Sequence, residues 1–486
     1  MRLSELLREV EFEGSIKNDF DIKFVTDDSR LVRPGALFVC IRHRSFDGHT
    51  AAAEALASGA AAVVTQERLG LENELNVADS RAAYARLCAA LCGHPERKLR
   101  MIGVTGTNGK TTVTTLIRNI LSDSGIKTLL TGTVCNRLGE ESLPSGLTTP
   151  KPPELYSLLS RAVLSGCEAC VAEASSQALA QGRLEGIAFD AAVFTNITRD
   201  HLDYHGTFEN YLAAKKKLFE HSEVSAVNLD DPRADEIIAA SSGKTVTFST
   251  VLDCADYTAK NISLLPEGVS FELVSKGRIE HINFASPGLF SVSNAMAAVV
   301  CAINLGVDPR SAAQSLARSK GVCGRLERVE CGTPYSVIID YAHTPDGLEQ
   351  VLRALRPSCR GKLIVLFGCG GDRDKTKRPL MGAAACKYAD TVIVTSDNPR
   401  SEEPMRIIGD ILKGTDKKRC GLFIEEDRRR ATALALSLAK PGDTVLLAGK
   451  GHEKYQLICG EKLPLDERET VREILGLPHD TGRKKP

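Results

Sequence analysis

Short apolar runs of strand length alternate with segments of helical pattern along most of the chain. Residues 36–41 (ALFVCI) and 60–65 (AAAVVT) are typical of buried strands, and the alanine-rich residues 51–59 between them predict a helix. A second series of strands is predicted in the last third of the chain, at YSVIID, KLIVLFG, DTVIVTSD, GLFIEE and DTVLLAG. Strands that alternate with helices in this way are typical of parallel, doubly wound sheets.

The length of 486 residues predicts about three domains, since one domain usually has about 100–200 residues. We expect an α/β protein with a small N-terminal α/β domain, a central P-loop-type domain with a mainly parallel sheet, and a C-terminal doubly wound, Rossmann-like domain. The predicted boundaries place these domains at residues 1–98, 99–332 and 333–486.

A glycine-rich loop follows a short apolar strand at residues 101–112, MIGVTGTNGKTT. Apolar residues recur at helical spacing after it, so the segment predicts strand, loop and helix, the geometry that points backbone N–H groups at a phosphate chain. Lys110 could reach the β- and γ-phosphates of a nucleotide, and the Thr111 hydroxyl could hold Mg²⁺. Val104 stands where the common P-loop pattern has glycine. The alternative is a turn without a ligand, but a lysine at the buried mouth of such a turn is hard to explain without an anion.

Acidic residues and histidines follow two predicted strands of the middle segment. Glu173 ends one of these strands. After the other come Asp200, His201, Asp203 and His205. A carboxylate and an imidazole near the phosphate loop could complete a Mg²⁺ shell around ATP. One histidine alone would more often be structural, whereas the cluster favours a function.

Four charged loops follow the predicted strands of the last segment: DYAHTP, GCGGDRDKTKRP, SDNPRSEEP and AGKGHEKY. Ligands of such sheets bind at the carboxyl ends of the strands, so we expect these loops to converge on one site. The charged groups they carry are Asp340, His343, Asp372, Arg373, Asp397, Arg400, Lys450, His452 and Glu453. Mixed signs in one crevice suit a zwitterionic ligand, and the alternative is a set of ordinary solvated loops.

Charge and composition exclude several classes of function. Lys plus Arg and Asp plus Glu both number 62, so no basic surface for nucleic acid is indicated. The first residues lack the apolar core of a signal peptide, and no apolar run approaches the ~20 residues that span a bilayer. The 15 cysteines are scattered without framework spacing. They predict reduced thiols in a cytoplasmic protein without membrane or nucleic-acid partners.

Ten motifs in order resemble the Mur ligases of peptidoglycan synthesis: GTNGKTT, EASS, TNITRDHLDYHG, YLAAKKKLF, VNLDDP, GRLERV, DYAHTPDGL, GCGGDRDKTKRPLM, SDNPRSEEP and GKGHEKYQ. The resemblance spans about residues 24–470. It implies that the first domain binds a uridine nucleotide, the central domain ATP, and the last domain an amino acid. Leu147, Gln177, Cys323 and Leu326 differ from the residues common in the family at the matching positions.

The resemblance implies an ATP- and Mg²⁺-dependent amide ligase that works through an acyl phosphate. The motifs are closest to the ligases that add meso-diaminopimelate to the D-glutamyl γ-carboxylate of UDP-N-acetylmuramoyl-L-alanyl-D-glutamate. SDNPRSEEP favours diaminopimelate, because Arg400 offers a bidentate fork for the second carboxylate that lysine lacks. The alternatives are the L-lysine-adding ligase, a folylpolyglutamate synthetase, and a nucleotide-binding module without catalysis.

The family motifs also imply substrate contacts, residue by residue. ATP contacts are implied for Gly106, Thr107, Asn108, Gly109, Lys110, Thr111, Thr112, Asn294, Arg325, Asp340 and Tyr341. Contacts to the UDP-muramoyl-peptide are implied for Ser29, Arg44, Ser45, Phe46, Thr148, Thr149, Ser175, Gln181 and Arg183. Contacts to diaminopimelate are implied for Arg373, Asp397, Asn398, Pro399, Arg400, Gly449 and Glu453.

Catalytic and metal-binding roles come from the same resemblance. The implied catalytic residues are Lys110, His201 and Lys215, and the implied Mg²⁺ ligands are Thr111, Glu173, His201 and Lys215. Lys215 falls where the family carries a carbamylated lysine, although composition alone gives no reason to single it out. Carbamylation needs a neutral amine, so the usual pKa of about 10.4 must be lowered or the adduct trapped by metal.

The acyl phosphate is predicted to form in the central domain, and the amine that attacks it is predicted to bind in the last domain. We therefore expect the last domain to rotate and close over the ATP site. Gly332 and Pro334 predict a hinge near residues 328–336. We expect the protein to act as a monomer.

Overall fold

The computed structural model describes residues 1–14, 17–43, 46–265, 267–319 and 321–478. The first part of the chain forms a four-stranded parallel sheet in the order β1-β2-β3-β4. Its elements are α1 (Leu3–Leu6), β1 (Phe24–Thr26), β2 (Ala36–Val39), α2 (Ala52–Ala57), β3 (Ala60–Thr65), β4 (Glu74–Asn76) and α3 (Ser80–Leu91). The two strands and the helix predicted between residues 36 and 65 are confirmed as β2, α2 and β3.

The central part of the chain builds an eleven-stranded sheet in the order β15-β14-β13-β12-β11-β10-β5-β9-β6-β7-β8. Its strands are β5 (Arg100–Thr105), β6 (Thr128–Thr131), β7 (Asn136–Leu138), β8 (Glu141–Leu143), β9 (Ala169–Glu173), β10 (Phe189–Phe194), β11 (Ser222–Asn228), β12 (Lys244–Ser249), β13 (Tyr257–Leu265), β14 (Gly268–Ser275) and β15 (Arg278–Phe284). The middle of the sheet is parallel, and antiparallel hairpins extend both edges.

Helices cover both faces of this central sheet. They are α4 (Lys110–Asp123), α5 (Pro152–Leu164), α6 (Ser176–Ala180), α7 (Leu202–His205), α8 (Phe208–Lys216), α9 (Ala234–Ala240), α10 (Leu289–Asn304) and α11 (Pro309–Arg318). Helix α10 is buried along most of its length and packs on α4, so the helix that follows the phosphate loop is held in the core. Helix α5 packs on α3, and the first two sheets therefore share one continuous apolar core.

The last part of the chain forms a six-stranded sheet in the order β16-β17-β21-β18-β19-β20. Its elements are β16 (Glu327–Arg328), β17 (Ser336–Asp340), α12 (Pro345–Leu355), β18 (Leu363–Phe367), α13 (Lys377–Tyr388), β19 (Thr391–Val394), α14 (Pro404–Leu412), β20 (Gly421–Ile424), α15 (Arg428–Leu438), β21 (Thr444–Ala448), the hairpin of β22 (Tyr455–Ile458) and β23 (Glu461–Pro464), and α16 (Glu467–Ile474). Strands β17 to β21 pair in parallel within this sheet, whereas β22 and β23 pair antiparallel as a separate two-stranded sheet. The carboxyl ends of the neighbouring strands β17, β21, β18 and β19 therefore meet at one edge, which places the four charged loops together.

The predicted hinge at residues 328–336 is wrong. Strand β16 begins at Glu327 and pairs antiparallel with β17, so both ends of that segment are hydrogen-bonded into the same sheet. A segment held at both ends in one sheet cannot absorb a rotation of that sheet against the central one. The sheet also begins before residue 333, where the third domain was predicted to start, and the domain limits stay a prediction.

The predicted α/β fold class is confirmed. Helices pack against three main sheets, whose strands are mostly parallel. Among the described residues, no helix is both long enough and apolar enough to cross a membrane.

Candidate active site

The phosphate loop turns directly into α4 through glycine. Gly109 has φ of +88°, and a Cβ there would lie 2.5 Å from Asn294 Oδ1 on α10, so only glycine fits. The Lys110 side chain folds back over the loop and donates to the carbonyls of Gly106 and Thr107, at 2.8 and 2.9 Å. Burial lowers the pKa of Lys110. The cation therefore lies where a phosphate chain bound along the loop would meet it.

Two residues that follow the neighbouring strand β10 and one residue of α8 hold the loop in place by hydrogen bonds. Thr195 Oγ1 donates to the Asn108 carbonyl at 2.6 Å, and the Asn196 side chain accepts from the Asn108 N–H at 3.0 Å. The Tyr211 hydroxyl lies 2.9 Å from Thr107 Oγ1. Thr195 and Tyr211 were not among the predicted site residues, because their partners are distant in the chain. Together they hold the loop in a shape ready for a ligand.

Glu173 and Thr111 form an oxygen-rich cluster at the start of α4. Thr111 Oγ1 donates to Glu173 Oε2 at 3.0 Å, and Thr133 donates to the same carboxylate through its N–H and its hydroxyl, at 2.8 and 2.9 Å. Arg325 from the last part of the chain donates to Thr111 Oγ1 at 3.1 Å. Carboxylate and hydroxyl oxygens are the ligands that Mg²⁺ prefers, and it takes its other ligands from water and phosphates. The donor set therefore fits Mg²⁺.

Two basic side chains and an acidic residue lie beside the loop on the side of α7 and α8. His201 has φ of +52°, and its Nε2 lies 3.4 Å from Asp200 Oδ2. Burial, together with Lys110 and Lys215, lowers the pKa of His201. Lys215 is 1% exposed, with its Nζ 4.6 Å from the centre of the Tyr211 ring. Burial and then the charge of Lys110 lower the pKa of Lys215 well below its usual value, which favours a neutral amine.

No group of three or more His, Cys, Asp or Glu side chains placed to hold a metal occurs in the part of the chain that the structure describes. Of the predicted ligands, Glu173 accepts from Thr111 Oγ1, and His201 lies beside Asp200. An ammonium cannot ligate Mg²⁺, so Lys215 could contribute only as a carbamate.

A cleft of about 390 Å³ opens between the central and last sheets. Of the predicted ATP contacts, it is lined by Asn108, Gly109, Thr112, Asn294, Arg325, Asp340 and Tyr341. The Arg325 guanidinium lies 4.8 Å from the centre of the Tyr341 ring. Asp340 accepts from the backbone N–H groups of Leu326 and Ala342, both at 2.7 Å, so its carboxylate also orders the chain that enters the sheet.

A second cleft, of about 670 Å³, lies at the carboxyl edge of the six-stranded sheet. It is lined by Arg373, Asp397, Asn398, Arg400, Gly449 and Glu453, which are six of the seven predicted diaminopimelate contacts. Asp200 and His201 line the same cleft from the opposite side. Pro399 is absent from this lining, and its carbonyl packs on Gly371, where a Cβ would come within 1.9 Å.

The β22–β23 hairpin holds Arg400 in an unusual conformation. Arg400 has φ of +54°, which is uncommon for a residue with a side chain. Its N–H donates to the Leu457 carbonyl at 3.0 Å, and its carbonyl accepts from the Cys459 N–H at 2.7 Å. The guanidinium donates to the Gly371 carbonyl at 2.7 Å. The sequence did not predict that this hairpin positions Arg400.

Five predicted muramoyl-peptide contacts form one hydrogen-bonded cluster next to Glu173. Thr149 Oγ1 bonds to the Glu173 carbonyl at 2.6 Å and to Ser175 Oγ at 3.1 Å. Arg183 donates to the Thr149 carbonyl at 2.6 Å and to Gln181 Oε1 at 2.7 Å. Thr148 joins through Thr133 Oγ1, at 3.1 Å. Burial lowers the pKa of Arg183.

The N-terminal part contributes the remaining predicted contacts. Ser29 begins a short 3₁₀ turn capped by Asp28, and Phe46 is exposed. Arg44 and Ser45 lie outside the described residues. The sequence missed Asp27, whose carboxylate accepts from Lys151 at 3.0 Å and from Tyr84 at 3.2 Å and so links the first two sheets.

Comparison with known proteins agrees with this arrangement. Family models described as "Mur ligase family, catalytic domain", "Mur ligase middle domain" and "Mur ligase, glutamate ligase domain" match residues 21–89, 104–302 and 324–451. The chain is 43% identical over 487 residues to a UDP-N-acetylmuramoyl-L-alanyl-D-glutamate–2,6-diaminopimelate ligase of Syntrophomonas wolfei, covering 98% of this chain and 99% of the relative. It is 44% identical over 479 residues to the ligase of the same name from Caldanaerobacter subterraneus, with the same coverage.

A solved structure of a UDP-N-acetylmuramoyl-L-alanyl-D-glutamate–2,6-diaminopimelate ligase superposes with a TM-score of 0.71 at 34% identity, covering 98% of this chain and 99% of the other. The likeness therefore extends over the whole chain in both sequence and fold. The chain belongs to the Mur ligase family.

Proposed function

We propose that this chain is an ATP-dependent ligase that joins meso-diaminopimelate to the D-glutamyl γ-carboxylate of UDP-N-acetylmuramoyl-L-alanyl-D-glutamate, a step in the synthesis of peptidoglycan precursors. One observation carries the proposal. Asp200 and His201, whose neighbour is the phosphate-loop lysine, line the same cleft as Arg400 and the other amino-acid loops. The acyl phosphate formed at the phosphate loop and the amine that attacks it can therefore meet in one place. Relatives of that name over the full length of the chain support the same conclusion.

The chemistry requires charge stabilisation more than it requires a nucleophilic side chain. ATP transfers its γ-phosphoryl group to the substrate carboxylate, and the amine of diaminopimelate attacks the resulting acyl phosphate. The tetrahedral intermediate collapses to an amide and releases phosphate. Lys110 and the loop N–H groups hold the phosphate oxygens on which negative charge builds up.

The metal site in this proposal combines protein and nucleotide oxygens. Thr111 and Glu173 would hold Mg²⁺, which when bound neutralises charge on the transferring phosphoryl group. His201 would orient that site from α7. A carbamate on Lys215 would add oxygen ligands, and the lowered pKa of this buried lysine supplies the neutral amine from which a carbamate forms.

Opposite charges in the second cleft match the two ends of an amino acid. Arg400 and Arg373 would bind carboxylates of diaminopimelate, whereas Asp397 and Glu453 would accept from its ammonium. The Thr149–Arg183 cluster beside Glu173 would hold the muramoyl-peptide. We assign the uridine nucleotide to the N-terminal domain, and we propose a cytoplasmic monomer.

Omission of single substrates tests the proposal. Phosphate release is measured with ATP, Mg²⁺, UDP-N-acetylmuramoyl-L-alanyl-D-glutamate and meso-diaminopimelate, and then with each component left out. The proposal requires release only when all four are present. Release with a folate and glutamate in place of the nucleotide-peptide and diaminopimelate would support a folylpolyglutamate synthetase. Release that needs no amino acid would contradict ligation.

A further inference from the structure

Lys450 lies beneath the floor of the amino-acid cleft and is completely buried. Its ammonium donates to Asn398 Oδ1 at 2.8 Å and to Glu453 Oε2 at 2.7 Å, and it lies 3.5 Å from Asp397 Oδ1. A buried cation is tolerated where it is paired and hydrogen-bonded. All three of these partners line the cleft, whereas Lys450 itself does not. Lys450 therefore does not touch a ligand in the cleft directly, whereas its three partners can.

The first consequence of this arrangement concerns the orientation of the Asn398 amide. An ammonium is a donor only, so the side-chain oxygen of Asn398 must face Lys450. The same oxygen accepts from the Leu457 N–H at 2.9 Å, which occupies its second lone pair. The Asn398 nitrogen donates to Glu453 Oε2 at 2.9 Å and keeps one N–H free to donate. Asn398 can thus offer a ligand a donor but not an acceptor, which suits a carboxylate.

The second consequence concerns charge. Asp397 and Glu453 are two carboxylates brought together around one ammonium, so the three groups carry one net negative charge. Asp397 is 6% exposed, and its Oδ1 is buried and accepts no hydrogen bond from any described residue. That oxygen faces Lys450 Nζ at 3.5 Å, so the single ammonium compensates only one of the two carboxylate charges and leaves the other for a ligand cation. One ligand ammonium would complete the site.

We propose that Lys450 is a positioning residue that selects diaminopimelate over lysine. By fixing the Asn398 amide and leaving one negative charge beside it, Lys450 makes the site complementary to an ammonium and a carboxylate on one carbon atom. Diaminopimelate carries that pair at both ends, whereas lysine lacks the carboxylate at one end. The inference rests on the proposed function and adds a residue that determines its specificity.

The test compares Lys450→Met with the parent enzyme. We measure kcat/KM for diaminopimelate and for lysine, together with KM for ATP and for the nucleotide-peptide. Without the ammonium, Asn398 Oδ1 keeps only the Leu457 N–H and Glu453 loses its paired cation, so the diaminopimelate-to-lysine ratio should fall about 10- to 100-fold, as for loss of a hydrogen bond to a charged group. The KM values for ATP and the nucleotide-peptide should stay within about threefold, because Lys450 touches neither site.

A second variant tests whether Lys450 acts through Asn398. Asn398→Asp keeps the shape of the side chain but removes the N–H donor, so it should itself lower the ratio. Adding Lys450→Met to Asn398→Asp should then lower the ratio by less than Lys450→Met does in the parent, because residues that share a contact are not additive. Independent, multiplicative losses would overturn the proposed route.

Arg118→Met is the matched control, since Arg118 is also a buried cation paired with a carboxylate, Glu140, but lies in the central sheet region. It should leave the ratio unchanged. Lys450→Gln, which keeps a donor without the charge, is measured in parallel and should retain more selectivity than Lys450→Met. An unchanged ratio in Lys450→Met overturns the inference, as does loss of folding in both Lys450 variants, which would assign the lysine a purely structural role. A parent enzyme that ignores diaminopimelate would instead refute the proposed function.

Discussion

The Asn108 amide donates a 3.0 Å hydrogen bond to the Asp346 carboxylate, and this contact joins the phosphate loop to the last sheet region. Asp346 lies in the first turn of α12, and the same oxygen accepts from Thr198 Oγ1 at 3.4 Å. Both residues line the 390 Å³ cleft. The Asp346 carboxylate thus connects the phosphate loop directly to helix α12 of the last sheet region.

Removal of this contact should weaken the coupling of the two domains. We expect Asp346→Ala and Asn108→Ala each to lower kcat/KM for ATP. In a double-mutant cycle the pair should show a coupling energy of about 1–2 kcal/mol, as for a hydrogen bond to a charged group. Arg353→Ala, at an exposed position on the same helix, is the control and should show no coupling to Asn108. Strict additivity of Asp346→Ala and Asn108→Ala would contradict the role of this contact.

Lys215 is expected to act as a carbamate. The buried amine has a lowered pKa, so it is neutral in a larger fraction of molecules than a surface lysine and can react with carbon dioxide. Activity should fall in carbonate-depleted buffer and return with bicarbonate, and Lys215→Ala should lose turnover altogether. Lys217→Ala, on the exposed side of the same segment, should keep both the activity and the bicarbonate response. An intact enzyme whose mass and activity do not respond to bicarbonate would argue against the carbamate.

Arg400 should determine the preference for the second carboxylate. Arg400→Lys replaces a planar fork with a point charge, so kcat/KM for diaminopimelate should fall by ~10² or more while turnover of lysine changes little. The variant keeps a positive charge, and any loss therefore reports geometry rather than net charge. Arg406→Lys, an exposed position on α14, serves as the control. Equal losses on both amino acids would mean that Arg400 only supports the loop.

Two partly buried histidines should make stability depend on pH. Burial lowers the pKa of His343 and of His452 to about 4, whereas unfolded histidine titrates near 6.5. Between these values the unfolded chain binds more protons than the folded one, so the stability present above about pH 6.5 is lost as the pH falls towards 4. His343→Gln should therefore show a smaller drop in melting temperature between about pH 7 and pH 5 than the parent.

His281→Gln is the control for that prediction, because His281 is exposed on β15. Its melting temperature should follow the pH dependence of the parent. Parallel curves for His343→Gln and the parent would show that His343 does not carry this part of the acid sensitivity.

Local signals in the sequence predicted the phosphate loop and the strands that frame it. The loop is contiguous in the chain, and its helix begins at Lys110 directly after the glycine turn. The convergence of the four charged loops followed from the rule on the carboxyl ends of parallel strands. The residues of each of these loops are adjacent in the chain, so the sequence was sufficient to predict them.

Contacts between distant segments could not be predicted in the same way. The Asn108–Asp346 bond joins residues 238 positions apart, and periodicity carries no information about such pairs. Lys450 looked like one more loop charge, since only the fold shows that its ammonium is buried. The misplaced hinge has a similar origin. Gly332 and Pro334 indicated a flexible link, but β16 lies before them and is paired into the sheet.

The central claim is that the enzyme adds diaminopimelate, and a competition experiment tests it most directly. The enzyme is incubated with ATP, Mg²⁺, UDP-N-acetylmuramoyl-L-alanyl-D-glutamate and equal concentrations of meso-diaminopimelate and L-lysine. Mass spectrometry then identifies which amino acid the nucleotide product contains. An unpaired pocket arginine disfavours lysine, so we predict a diaminopimelate product in excess of ~10³-fold over the lysine product. A product that contains mostly lysine, or equal amounts of both, would contradict the account.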